Sequence, residues 1–170
     1  MEKMAVGGAD LFHLQAVEGW LGLGNPMEAL AELDRISPPL QEHTQVLDAR
    51  WQVNAALKDW DRALDVARTM LQRAPRDPRG WIHQAYATRR ARSGGLQQAW
   101  DVLRPAFDHF PEVSVIPYNL ACYAAQLGRP EEALEWIHRA MESAGNVAEI
   151  KAMALQDEDL RPLWPRIKTL

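Results

Sequence analysis

Cysteine is almost absent from this 170-residue chain, Cys122 being its only one. A lone thiol excludes an internal disulfide, a redox pair and a cysteine-based metal knuckle, and it fits a reducing, cytoplasmic setting. An excess of one charge sign is lacking too. Lys and Arg total 19 against 23 for Asp and Glu, so a net charge of −4 offers no global attraction for nucleic acid or an anionic membrane. No apolar run approaches membrane-spanning length, and Met1 to Asp10 lack the apolar stretch of a secretory signal, so a soluble protein is expected. Strand-like alternation of apolar and polar residues never persists. Phenylalanine and tyrosine are sparse at three each, whereas tryptophan reaches seven. With 47% apolar and 25% charged residues, the composition is that of a folded chain long enough to bury a core.

One phrase recurs four times: Gly24 to Leu30, Lys58 to Leu64, Gly94 to Trp100 and Gly128 to Leu134. Its alanines, Ala29, Ala63, Ala99 and Ala133, are 34, 36 and 34 residues apart. Apolar residues follow each alanine four and seven places on: Leu33 and Ile36, Ala67 and Met70, Leu103 and Ala106, Ile137 and Ala140. That spacing marks one face of a helix. A second amphipathic stretch precedes each phrase, so every unit reads as helix, turn, helix. Pro38-Pro39, Pro75 with Pro78, and Pro111 stop the second helices, because proline lacks the amide and clashes with the preceding turn. Gly24, Gly94 and Gly128 stand where a first helix must end in a left-handed turn.

These features resemble the tetratricopeptide repeat family, whose unit is a 34-residue helical hairpin with small residues where its helices touch. The fourth unit matches best, through Leu120-Ala121, Gly128, Ala133 and Ala140; the third carries Trp81, Ala85, Ala99, Ala106 and Pro111, with two extra residues around Ser93-Gly94. The resemblance implies an all-α, right-handed α-solenoid of about four hairpins. The units run 10–43, 44–77, 78–113 and 114–147 after a tail at 1–9. Residues 148–170 read as a capping helix and tail, with a dimer-forming face as the alternative, and Trp164 decides between them. In the second unit Trp51 stands where the family has a small residue, and Arg50 and Asn54 where it has apolar ones, so the packing of that helix is open. Trp20, Trp60 and Trp81 are expected in packing positions, and Trp100 and Trp136 partly exposed on the outer surface.

Catalytic chemistry is not legible. The run from Gly19 to Asn25 is glycine-rich, but no strand precedes it and no Lys-Ser or Lys-Thr pair follows, as a phosphate loop requires. None of His13, His43, His83, His109 and His138 lies three or four residues from another, so no helical metal pair forms. Cys122 reads as a small half-buried side chain, and the acids at 131–135 and 157–159 as helix-start residues. No enzyme, metal or cofactor is expected.

The family resemblance instead implies a concave groove lined by first helices, suited to a peptide or partner helix. Carried over residue by residue, its stripes are Leu11, Leu14, Glu18 and Leu21; Gln45, Asp48, Gln52 and Ala55; Arg79, Ile82, Tyr86 and Arg89; and Val115, Tyr118, Cys122 and Ala125. Arg90 and Asn119 flank them. The interval 73–92 holds six arginines, Arg73, Arg76, Arg79, Arg89, Arg90 and Arg92, against the single acid Asp77. It reads either as a solvated face or as a surface for an acidic segment, with Tyr86 and Tyr118 as anchors. The family's carboxylate clamp is not reproduced, since Glu18 and Asp48 occupy the first two units. A protein-interaction module, adaptor or chaperone-like, is the expected function. A nucleic-acid-binding repeat using the arginine cluster is the alternative, and monomer and dimer both stay open.

Overall fold

The computed structural model describes residues 6–170, so residues 1–5 of the expected tail lie outside the described residues. Among the described residues there are ten α-helices, two 3-10 turns and no strand. The helices are α1 Gly8–Gly22, α2 Pro26–Leu33, α3 Thr44–Ala56, α4 Trp60–Arg73, α5 Pro78–Thr88, α6 Leu96–His109, α7 Val115–Gln126, α8 Pro130–Ala144, α9 Val147–Ala154 and α10 Trp164–Ile167. Gly8 and Ala9, expected in the tail, already belong to α1. The chain divides into two compact units, one ending at Arg92 and one spanning Ser93–Leu170. The first therefore holds α1 to α5 and the second α6 to α10.

In the first unit, Leu14, Val17, Ala29, Leu33, Ile36, Val46, Ala49 and Val53 form one core, and Trp51, Ala63, Leu64, Ala67, Met70 and Ala87 another. The repeating alanines are fully buried because only a small side chain lets paired helices come close. Gly80 follows the same rule at α5, where a Cβ would come within 3.1 Å of the backbone of Leu71.

Three turns share one backbone solution. The amides of Asn25, Asp59 and Arg129 donate to the carbonyls of Trp20, Asn54 and Ala124, each at 2.9 Å. The residue before each of these has positive φ: Gly24 at 72°, Lys58 at 59° and Gly128 at 74°. This is the left-handed helix end that satisfies otherwise orphaned carbonyls. In the third turn, where Gly94 is expected to do the same, the neighbouring Gly95 has φ 158°. The two extra residues there replace the motif with a longer connection between Thr88 and Leu96.

The divergent second repeat packs through polar contacts. Arg50 donates to Gln41 Oε1 at 2.7 Å and pairs with Asp34 at 3.3 Å, while Gln41 donates to the carbonyls of Leu33 and Ile36 at 3.1 and 2.6 Å. Together they cap the end of α2, and a cation there also complements the helix dipole. Asn54 is buried and donates to the Arg50 carbonyl at 2.8 Å. Trp51 lies flat on His83, with ring centroids 3.8 Å apart and planes 5° apart.

In the second unit the last residues fold back on α7 and α8. Leu160, Leu163 and Ile167 are buried, Arg166 makes a two-pronged pair with Glu131 at 2.5 and 2.8 Å, and the half-buried Trp164 donates its indole N–H to the Ala154 carbonyl at 2.9 Å. Trp100 and Trp136, expected partly exposed, are instead buried, their rings edge to face at 5.9 Å. Arg104 and Arg139 lie over the Trp136 ring, at 5.2 and 4.6 Å from its centroid, and shield it from water. Among the described residues no helix is long and apolar enough to cross a membrane.

Candidate functional site

Within the first unit, α1 and α3 each turn a stripe of residues toward one concavity, and α5 turns Arg79. Leu14, Val17, Glu18 and Leu21 come from α1, Gln45, Asp48, Ala49 and Gln52 from α3, and Arg79 from α5. The empty space in and over this concavity, open solvent included, is about 450 Å³. Leu14, Val17 and Ala49 are buried and make its floor, while Glu18, Gln45, Gln52 and Arg79 stay exposed at its walls. Seven of the stripe residues expected from sequence, Leu14, Glu18, Leu21, Gln45, Asp48, Gln52 and Arg79, therefore meet in one place.

Asp48 is the electrostatic centre. One carboxylate oxygen bonds His83 Nε2 at 2.9 Å and the other accepts from Gln52 Nε2 at 3.0 Å, with Arg79 3.9 Å away. The His83 hydrogen bond, aided by the nearby positive charge, outweighs partial burial and holds the carboxyl below its ordinary value of 3.8, so it is ionised at neutral pH. Arg79 is committed to Asp77, through Nε at 3.1 Å and Nη2 at 2.6 Å. That pairing lowers the Asp77 pKa and raises that of Arg79. Glu18 makes no ion pair or hydrogen bond among the described residues.

Acids brought in by the fold offset part of the arginine cluster. Arg73 pairs with Glu42, Arg79 with Asp77 and Asp48, and Arg92 with Asp61 at 3.3 Å. Glu42, Asp48 and Asp61 lie outside the interval, and only the fold brings them there. Tyr86 and Arg90 belong to a separate cluster. The Arg90 guanidinium stacks 3.6 Å from the Tyr86 ring centre and 5.3 Å from that of Trp60, and Tyr86 meets Trp51 edge-on at 5.8 Å. Ile82 and Arg89 are half-buried.

Tyr118 and Cys122, in the second unit, require a correction. Both were expected on an open groove, yet they are only 7% and 4% exposed. The Tyr118 hydroxyl donates to Asp157 Oδ2 at 3.0 Å and the Cys122 thiol to the same oxygen at 3.5 Å, because the C-terminal segment is seated over this part of α7. Burial, reinforced by neighbouring acidic groups, pushes the Tyr118 phenol well above its ordinary range. Neighbouring Asn119 is half-buried. Cys122, Asp157 and Asp159 bring possible ligand atoms within 4.8 Å of one another. The Asp157 carboxylate is already engaged, however, its second oxygen capping the Asp159 amide at 3.0 Å.

No family model matches the sequence, and no curated protein matches it. Solved structures do match. A thermophilic TPR protein of Thermus thermophilus aligns with 95% of this chain and 100% of its own, at 21% identity and a TM-score of 0.66. A MamA double mutant of strain RS-1 aligns with 79% of this chain and 74% of its own, at 19% identity and 0.66. MamA from residue 41 onward, of Desulfovibrio magneticus RS-1, covers 82% of this chain and 97% of its own at 18% identity and 0.54. At such identities the likeness concerns the fold, and the chain has the tetratricopeptide-repeat fold.

Proposed function

We propose that this chain is a protein-interaction scaffold, an adaptor or chaperone-like module, that seats a peptide or helix of a partner in the groove of its first unit. The observation that carries this reading is the convergence of α1, α3 and α5 on one concavity with an apolar floor and exposed polar walls. Repeat folds stack helices so that one face is concave, and concave sites with a few placed polar groups are where ligands lose the most water. The nucleic-acid reading draws little support from Arg73, Arg79 and Arg92, because each is offset by an acid.

A Gln52→Trp variant tests the proposal by filling the groove from an exposed position on α3. It should keep the helical circular dichroism spectrum and lose about tenfold or more of partner recovered from native extract. Arg68→Trp, on the exposed face of α4, is the control and should recover partners normally. Unchanged recovery with folded Gln52→Trp sinks the groove reading.

A further inference from the structure

The lining of the groove carries information about its occupant. Its polar atoms are mostly acceptors. Glu18 offers an unpaired carboxylate, and each Asp48 oxygen keeps a lone pair beyond its bond to His83 or Gln52. Gln52 spends one of its two amide hydrogens on Asp48, which leaves its carbonyl oxygen to accept and one hydrogen to donate. Arg79 is the sole basic residue of the lining, and Asp77 already holds it. Within the lining, Glu18 and Asp48 thus face one arginine, whose charge is already offset by Asp77 at its other side. His83 sits behind Asp48 with its ring against Trp51 and does not line the space. Below these acceptors lie the aliphatic side chains of Leu14, Val17 and Leu21.

We propose that the partner segment inserts a lysine or arginine side chain here, its charged head between Glu18 and Asp48 and its methylene stem along Leu14, Val17 and Leu21. The two parts of the site match the two parts of such a side chain, a donor-only cation on a flexible apolar stem. An acidic segment would instead meet like charge in a partly desolvated concavity, where opposition costs more than on an open surface. The inference rests on the groove reading and adds to it the chemistry of the occupant.

A fluorescein-labelled peptide of alternating leucine and lysine is the probe, with twins carrying acetyl-lysine or glutamate in place of lysine. Anisotropy reports affinity, and amide chemical shifts report location. The lysine peptide should bind at low salt, shift amides at 14–21 and 45–52, and weaken as salt rises. Both twins should bind about tenfold or more weakly, and Glu18→Lys, an exposed substitution, should weaken the lysine peptide by a similar factor. Equal or tighter binding of the glutamate twin, indifference to Glu18→Lys, shifts confined to other helices, or no binding by the lysine peptide would each overturn the assignment. Partner recovery by Gln52→Trp judges the groove separately, so loss of cation preference with that result intact sinks the cation alone.

Discussion

Asp48 shows how one side chain can serve both packing and the groove wall. Its carboxylate holds His83 against Trp51 on one side and lines the groove on the other. Because its folded-state pKa lies below 3.8, the stabilisation is present in full above that value and is lost as the pH falls through the folded one. Asp48→Asn should therefore cost about 1 kcal/mol at neutral pH, allowing for solvent screening, and the gap from the parent should close as the medium is acidified through the carboxylate range. Urea denaturation at a series of pH values measures this; a gap that persists at the acid end would refute the linkage. The residue scale is also where tertiary partners matter most. A window over 73–92 counted six arginines against Asp77, since their other partners, Glu42, Asp48 and Asp61, come from outside it. Tyr118 and Cys122 had the right helical spacing for a groove, but Asp157, 39 and 35 residues later, closes over them. Spacing identifies a face, whereas what covers that face is a tertiary fact.

Helices and turns were far more legible, because their causes are local. Alanines at the helix contacts, prolines at the helix ends and the glycine turns are each visible within a few residues. Where a local rule was altered, the structure altered with it: two extra residues lengthen the connection between Thr88 and Leu96, and Arg50 and Gln41 take over the end of a short α2. Lys58 is the informative exception, occupying with φ 59° the place that Gly24 and Gly128 fill at 72° and 74°. A side chain in this region is strained by roughly 1 kcal/mol. Lys58→Gly should stabilise the first unit by up to about that amount, and Gly128→Ala should destabilise the second by a similar one. Opposite shifts in the denaturation midpoints are the expected outcome. Equal destabilisation by both would mean that Lys58 is held by contacts worth more than its backbone strain.

On the scale of the whole molecule, the fold joins a weakly charged sequence to a locally acidic groove. The net charge of −4 hides it, and the arginines counted in sequence point the opposite way, because Asp77 has already taken up Arg79. The tryptophans follow the same lesson: Trp51, Trp100 and Trp136 are packing residues, and arginines screen Trp136. Trp51 is packed away in the first unit, whereas the α1, α3 and α5 lining stays within reach of a partner. Photocrosslinking tests this most directly, with benzoylphenylalanine placed at Gln45 or Gln52 in the groove, or at Arg68 on the exposed face of α4, in native extract. The account predicts that one partner is captured from both groove positions and not from Arg68. Capture from Arg68 with none from Gln45 or Gln52 would contradict it.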